Sequence, residues 1–410
     1  MSITVEATYE NGTLKLSQPL PLKEQERLQV TIHETGNPFP NHLRGILALV
    51  VIFLAGPLAS AEEEALDWRP VQAGKYLDER EKTWFEFSSA RRGQGTAQTS
   101  CVSCHTVMPY VLARPVLRKL TGTLMPTEQE KQLLTQTRKR VANWQSLDNA
   151  RYGLLYDFNE QKKKEAWGTE AVLNAVICAF DDHYQGRSGP GDVTKQAFAN
   201  LWKAQIQTGD HKGTWDWLDF DLEPWESKGA RYHGAALAAI AVGTAPGYYT
   251  SGADADVSAK VKLLRDFLKD GLLTQNLFNR TLCLWVSAKL DGVLTRDDQR
   301  KIIGQLLDQQ RDDGGWSLAA FGPFVRKDGT IQDSTSDGYA TGLVLHVVQI
   351  AGLPKDDARL ARGLTWLKRN QAATGEWRSI SVNKKRNPAS HVGKFMSDAA
   401  TAYAVLALSH

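Results

Sequence analysis

The sequence predicts an all-α protein built as an (α/α)6 toroid, with an inner ring of six helices inside an outer ring of six. Two kinds of helical segment alternate along the chain, and segments of one kind begin at steady intervals of 48 to 66 residues. A helix that is apolar all round is buried, whereas a helix with one apolar face lies at the surface. Regular alternation of the two kinds therefore favours a closed double ring over an open bundle.

The composition is that of a soluble globular protein. A chain of 410 residues can bury one large core or two ordinary ones. The apolar fraction of 42% and the charged fraction of 23% are ordinary for such proteins. Because the net charge is only +3, the charge balance offers no argument for nucleic acid, and we expect no nucleic-acid partner.

Residues 1–35 are predicted to be a short β-rich segment. The run from Ile3 to Tyr9 alternates in polarity, Asn11-Gly12 is typical of a hairpin turn, and the run from Arg27 to Ile32 alternates again. This segment resembles a small antitoxin-like family of unknown function. The resemblance implies no role for the segment in the mature protein.

Residues 42–61 have the pattern of a secretory signal peptide. An apolar run from Ile46 to Leu54 follows a weakly basic start, and Ala59-Ser60-Ala61 matches a cleavage site. Because the run is shorter than the ~20 apolar residues that a bilayer requires, cleavage is favoured over an anchor helix. We therefore predict export, for example to the periplasm. A β-rich segment upstream of a signal is unusual, and either a genuine fusion or a later translation start would explain it.

Residues 70–410 are predicted to form the toroid. The amphipathic, charged segments are its outer helices, at 75–87, 127–147, 193–206, 257–270, 297–311 and 357–370. The small, apolar segments are its inner helices, at 101–120, 167–182, 231–244, 279–291, 336–352 and 397–409.

A short motif recurs where predicted outer helices end. The run from Gln371 to Trp377 has a Gly two residues before its Trp, and the run from Gln310 to Trp316 has the same spacing. A looser copy runs from Gln207 to Trp215. The motif resembles the QW repeat of squalene-hopene cyclases, oxidosqualene cyclases and protein prenyltransferases. The resemblance covers about residues 80–400 and implies that each Gln amide binds at a neighbouring helix end.

The resemblance also implies where the chemistry would lie. In that family the N-terminal ends of the inner helices line a central cavity. The implied ligand is an isoprenoid or another apolar molecule, and association with a membrane surface is a further expectation. The helix dipoles at this mouth would lower the pKa values of thiols and carboxyls. The stretches brought together would be 101–105, 167–170, 231–233, 279–280, 336–339 and 396–398.

Two aspartates are candidate catalytic acids. Squalene cyclases protonate their polyene with an Asp-x-Asp-Asp motif at the start of an inner helix. Here Asp398 and Asp337 stand at equivalent positions in the shorter sequences Ser-Asp-Ala and Ser-Asp-Gly. The alternative for each is a helix N-cap. The incomplete motif leaves open whether the protein is a cyclase, a transferase or no enzyme.

The run from Cys101 to His105 reads Cys-Val-Ser-Cys-His, the attachment signature of c-type haem. In that hypothesis Cys101 and Cys104 form the thioether bonds and His105 is an axial ligand. Because a closed ring makes the last inner helix a neighbour of the first, Met396 is predicted to be the second axial ligand. His391 and His233 are alternatives for that second position.

Two other uses of the same residues compete with covalent haem. The prenyltransferase relatives hold zinc in this mouth, so Cys104, His105 and Asp398 form an alternative zinc set. Cys101 and Cys104 could also be a disulfide or thiol pair. Three functions follow: a toroid that binds an apolar ligand, with or without catalysis; a haem-containing electron-transfer protein; and a non-catalytic binding scaffold.

Overall fold

The computed structural model describes residues 68–123, 125–249 and 254–410, and four strands within residues 1–67. The chain divides into two compact units, Met1–Asp67 and Trp68–His410. None of the helices in the described part is both long and apolar enough to cross a membrane.

The first unit contains an antiparallel sheet, in keeping with the predicted β-rich start. Its strands are β1 (Ser2–Glu10), β2 (Thr13–Leu16), β3 (Gln29–Glu34) and β4 (Leu47–Phe53). The strand order is β2-β1-β4-β3, with β1 and β3 both antiparallel to β4. Strand β4 therefore occupies part of the predicted signal peptide at 42–61. The cleavage motif lies outside the described residues, and export stays a prediction.

The second unit contains twelve helices within its described residues, alternating between an outer and an inner ring. The outer helices are α1 (Pro70–Glu86), α3 (Glu128–Ala142), α5 (Asp192–Ala204), α7 (Ala255–Gly271), α9 (Arg296–Asp308) and α11 (Ala358–Asn370). The inner helices are α2 (Val107–Leu120), α4 (Glu160–Tyr184), α6 (Arg231–Thr244), α8 (Leu277–Ser287), α10 (Gly338–Ile350) and α12 (Phe395–Leu408).

The inner ring is closed. Helix α2 packs on α4, and α4 on α6; the chain of contacts continues through α8 and α10 to α12, which packs back on α2. The burial pattern agrees with the predicted alternation. In α10 every residue from Gly338 to Val348 is buried, whereas α11 buries only Leu360, Gly363, Trp366 and Leu367. The predicted toroid is thus confirmed.

Two inner helices begin six or seven residues from the predicted positions, whereas the other four agree within two residues. Helix α2 starts at Val107 rather than Cys101, because residues 101–106 form an irregular turn. A short hairpin of β5 (Arg91–Arg92) and β6 (Thr99–Ser100) leads into that turn. Helix α4 starts earlier than residue 167, since the Asn159 side chain accepts a hydrogen bond from the Lys162 N–H and caps the helix there.

Each QW-like motif ties the outer helix that it follows to the next outer helix. The Gln310 amide donates to the carbonyl of Gly314, within its own motif, and to that of Arg359 at the start of α11. The Gln371 amide donates in the same way to the carbonyls of Gly375 and Arg69. Because Arg69 immediately precedes α1, the motif at Gln371 joins the end of the ring to its beginning.

The third copy begins at Gln205, so the prediction of Gln207 was wrong. The Gln205 amide donates to the carbonyl of Gly213 and to that of Lys260 in α7. A longer loop before Gly213 hides the spacing that the other copies share. Gly213 has a φ of 91°, and a Cβ there would lie 2.3 Å from the Leu263 carbonyl oxygen, so the turn requires glycine.

Packed aromatic side chains fill the middle of the ring. The ring centroids of Tyr339 and Tyr403 are 5.1 Å apart, and those of Trp285 and Tyr403 are 6.2 Å apart. Phe278 packs against Tyr339 at 6.4 Å. All four side chains are buried. The larger open space lies at one end of the ring, where Tyr339 forms part of its wall.

Candidate functional site

A cavity of about 170 Å³ lies at the end of the ring where the inner helices begin. Its aromatic walls are Tyr156, Trp225, Tyr339 and Phe395. A smaller cavity of about 50 Å³ also reaches Cys104, His105 and Trp225. For comparison, an engineered apolar cavity of about 150 Å³ binds benzene. The larger cavity is therefore suited to a ligand the size of a single ring.

Ring closure brings the predicted residues together at this cavity. Cys104 and His105 line it with Met396, as expected if the last inner helix neighbours the first. The predicted stretches 167–170, 231–233 and 279–280 do not line it, although Thr169 reaches the smaller cavity. The Arg231 side chain donates to the Trp215 carbonyl, and that of Arg280 donates to the Leu273 carbonyl.

The Cys-Val-Ser-Cys-His turn is fixed by backbone hydrogen bonds. The Cys101 N–H donates to the Ala90 carbonyl at 2.7 Å, and the Trp84 indole donates to the Cys101 carbonyl at 2.9 Å. Cys101 and Cys104 are both free thiols in the structure. The turn therefore has a defined shape without a disulfide between its cysteines.

The expected lowering of thiol pKa values is wrong. Burial raises the pKa of Cys101, and it raises the pKa of Cys104 to about 12. Both thiols lie in the turn before α2, so they do not occupy the helix N-terminus where the dipole acts most strongly. Loss of hydration consequently dominates, and both sulfurs are protonated at neutral pH.

His105 is held in one tautomer by a chain of hydrogen bonds. Its Nδ1 lies 2.9 Å from the Thr106 hydroxyl, which itself donates to Oδ2 of Asp398 at 2.8 Å. Because the hydroxyl has a single proton and gives it to the carboxylate, Nδ1 must be the donor to Thr106. Nε2 is then an unprotonated acceptor, without a hydrogen-bond partner among the described residues. Burial lowers the pKa of His105 to about 3, so the imidazole is neutral.

Two aromatic side chains fix the plane of the His105 ring. Phe395 stacks on it with centroids 3.8 Å apart and planes 14° apart. Trp84 meets it edge-on at 5.1 Å. Together with Thr106 they determine the direction in which Nε2 points.

Asp398 lies behind His105 rather than on the cavity wall. Its carboxylate accepts hydrogen bonds from Arg80 at 2.6 and 3.0 Å, from Tyr76 at 2.9 Å and from Thr106. Burial raises the pKa of Asp398, while these donors oppose that effect by stabilising the ionised form. The predicted catalytic residue Asp398 is thus placed as the anchor of the His105 chain.

Asp337 has the contacts of a helix cap. Its carboxylate accepts from the N–H groups of Tyr339 and Ala340 in the first turn of α10. It also accepts from the Leu318 N–H and the Ser379 hydroxyl. These four donors occupy both carboxylate oxygens, which places Asp337 in the capping role that the sequence offered as the alternative to catalysis.

The zinc set does not assemble. Within the described residues, no group of three or more His, Cys, Asp or Glu side chains could hold a metal ion. The physical reason is visible in the set of Cys104, His105 and Asp398. The Asp398 oxygens are already bound by Arg80 and its neighbours, and the Cys104 thiol is protonated.

The haem hypothesis has suitable donors but too little space. Cys101 and Cys104 reach the smaller cavity, and Nε2 of His105 and Met396 are available at the larger one. A porphyrin has four pyrrole rings, however, and the larger cavity suits one ring. The residues as arranged therefore do not fit haem c.

The two alternative axial ligands lie away from the cavity. His391 has its Nδ1 3.1 Å from Nη1 of Arg80. The His233 ring lies between Phe278, at a centroid distance of 5.7 Å, and Trp217. Neither imidazole is part of the cavity wall.

Glu226 is the functional candidate that sequence reasoning missed. It lines both cavities, and burial raises its pKa to about 7, with Arg386 and then Lys162 opposing that rise. Paired backbone hydrogen bonds between Glu226 and Leu222, of 2.8 and 2.9 Å, fix its loop. Nothing in the sequence Glu-Pro-Trp-Glu reveals that its second Glu is half-buried and reaches a cavity.

The comparisons with known proteins concern mainly the fold. The AF2212-like family matches residues 1–65, which include the β-rich segment and the predicted signal peptide. No curated protein matches the sequence. A solved structure of the type II terpene cyclase MstE from Scytonema, without ligand, is similar with a TM-score of 0.40 and 13% identity. That likeness covers 83% of this chain and 98% of the other, and the assignment of the toroid rests on the closed ring of helices itself.

Proposed function

We propose that the toroid binds a compact apolar ligand, about the size of a single ring, and that Glu226 exchanges a proton with it. One observation carries the proposal. An aromatic-lined cavity of about 170 Å³ contains a carboxyl group whose pKa is raised to about 7. A group with that pKa is present in both protonation states at neutral pH, as a general acid or base requires.

The dimensions restrict the predicted isoprenoid ligands to short ones. The cavity wall at Tyr339 continues into the packed aromatics formed with Phe278 and Tyr403. A long polyene would have to displace these buried rings, at a cost of several kcal/mol for each large side chain. A ligand of one ring or one to two isoprene units needs no such displacement.

His105 supplies a hydrogen-bond acceptor at the same cavity. Its Nε2 is an acceptor, since Nδ1 carries the proton that is donated to Thr106. Because burial lowers the pKa of His105 to about 3, Nε2 is too weak a base to take a proton from the ligand at neutral pH. His105 is therefore suited to orienting a ligand through a hydrogen bond, and proton exchange is assigned to Glu226 alone.

The other two predicted functions are tested by different properties. Covalent haem is favoured by the Cys101–His105 motif and opposed by the cavity volume. A non-catalytic scaffold would bind ligand equally well before and after Glu226→Gln, with no change in its pH dependence. Association with a membrane surface stays a prediction.

The proposal is tested by filling the cavity. Val392 lines it, and Val392→Phe would place a ring in the space that a ligand needs. With toluene as the probe, calorimetry on the full chain should show binding that this variant abolishes. The control is Val325→Phe, since Val325 is 76% exposed and is not part of the cavity. If toluene does not bind the wild type, or binds Val392→Phe equally well, the proposal is wrong.

A further inference from the structure

We propose that the natural ligand carries an anionic group, a carboxylate or a phosphate, which pairs with Arg386 while the apolar part contacts the aromatic walls. The inference rests on the proposed function and names the ligand class for the same cavity. It follows from an arginine that lines this cavity together with Ser381, Asn383 and the aromatic side chains.

The Arg386 guanidinium has few partners of its own. Its one hydrogen bond within the described residues runs from Nη2 to the Asn383 amide oxygen and is long, at 3.4 Å. That oxygen has a shorter bond from the Ser381 hydroxyl, at 2.6 Å. No carboxylate of the described chain lies within ion-pair distance of Arg386. The guanidinium thus keeps most of its five donors for another group.

Burial makes this lack of partners significant. Arg386 is partly buried, and a cation loses hydration without compensation when no anion lies beside it. Lys162, the other cation whose field reaches Glu226, is already paired with Glu165. A ligand anion would supply the missing partner, and a planar guanidinium binds a carboxylate or phosphate through two parallel hydrogen bonds.

The charge of Arg386 already acts within the cavity. It opposes the rise in the pKa of Glu226 caused by burial, and it contributes, after burial, Arg80 and His391, to the lowered pKa of His105. The cavity lining therefore combines aromatic side chains with a cation. A molecule that matches both has an apolar ring and an anionic group.

The protonation state of Glu226 should also affect how tightly an anion binds in this cavity. When Glu226 is ionised its charge repels the ligand anion, and when it is protonated the repulsion disappears. Anion binding should accordingly strengthen as the pH falls below about 7, the pKa of Glu226. A neutral ligand of the same shape should show little change.

Three small probes test the inference on the full chain. Benzoate and phenyl phosphate carry the anion, and benzamide is a neutral molecule of nearly the same shape. Calorimetry at pH 6 should show both anions binding more tightly than benzamide. Arg386→Gln should weaken anion binding about tenfold or more and leave benzamide within about twofold, because charged hydrogen bonds are lost only with the anions.

Two further variants make the result specific. Arg386→Lys keeps the charge and should retain part of the preference for anions. Arg378→Gln is the matched control, since the Arg378 side chain is 83% exposed on the same stretch of chain. Circular dichroism confirms that each variant is folded.

The possible failures are distinguishable. If benzamide binds but the anions bind no better, and Arg386→Gln changes nothing, the anionic ligand class is wrong while the apolar site stands. If none of the three probes binds the wild type, the proposed function fails together with the inference. A preference between benzoate and phenyl phosphate, lost in Arg386→Gln, supports the inference and tells the carboxylate from the phosphate.

Discussion

Replacing Asp398 with Ala removes the carboxylate that joins the last inner helix to the first outer helix. Arg80 is 6% exposed and would remain charged, and among the described residues its guanidinium would keep contacts at hydrogen-bond distance only with the carbonyl and Nδ1 of His391. Removing one partner of a buried pair costs about 3–5 kcal/mol, since the other charge stays buried without compensation. We therefore expect Asp398→Ala to lower the free energy of unfolding by about 3–5 kcal/mol.

Urea unfolding followed by far-UV circular dichroism measures this loss. A double variant, Arg80→Leu with Asp398→Leu, leaves no unpaired charge, so it should cost less than Asp398→Ala alone. The control is Asp266→Ala, which removes an ion pair to Lys262 whose side chains are 44% and 74% exposed. Exposed pairs contribute about 0–1 kcal/mol, and the control should be near neutral.

The reasoning is refuted if Asp398→Ala costs less than about 1 kcal/mol. It is also refuted if the double variant is destabilised by as much as the two single losses added together. Either result would mean that the Arg80–Asp398 ion pair does not hold the last inner helix to the first outer helix.

Further predictions concern Glu226, the Cys101–His105 motif, the QW-like repeat and the predicted signal peptide. Burial raises the pKa of Glu226 to about 7, so the folded state binds this proton more tightly than the unfolded state does. The stabilisation of the folded state by the Glu226 proton is complete below about pH 4 and is lost as the pH rises through 7. At pH 8, Glu226→Gln should therefore exceed the wild type by about 1–3 kcal/mol in unfolding free energy. Equal stability of the two proteins at pH 8 would contradict this. Protein produced with a haem-attachment system should show no Soret band, since the cavity is too small for haem; a band that survives acid-acetone extraction would overturn that view. Gln371→Ala should destabilise the chain by about 1–3 kcal/mol because it leaves the Arg69 N–H unpaired and removes the side-chain donor to the Gly375 carbonyl, whereas Gln207→Ala should change little; similar losses in chemical unfolding would remove the distinction. If the signal is processed, N-terminal sequencing of exported protein should begin at Glu62, and an intact start at Met1 or Ser2 would exclude cleavage.

Much of the architecture was readable from the sequence because it depends on periodicity. Helices buried on all sides need small apolar residues throughout, as in α10, and outer helices need one apolar face, as in α11. The motifs at Gln310 and Gln371 were recognisable because their spacing is strict. The third copy was assigned to begin at Gln207 rather than Gln205, because an insertion in its loop broke that spacing.

The site was only partly predictable. Ring closure correctly placed Met396 beside Cys104 and His105, since it follows from the number of helices. The direction of the thiol pKa shifts was wrong, because hydration depends on what packs against a side chain. Thr106, between His105 and Asp398, escaped notice because its two hydrogen bonds join residues nearly 300 positions apart.

The order and character of the helices, and hence the closed double ring, were determined by the sequence alone, since local polarity decides which faces must leave water. Only the tertiary structure decided how much room remains at the mouth of the ring and which charges there lack a partner. Those properties arise where side chains distant in sequence line one cavity, as Glu226 and Arg386 do, and local sequence patterns do not reveal such arrangements.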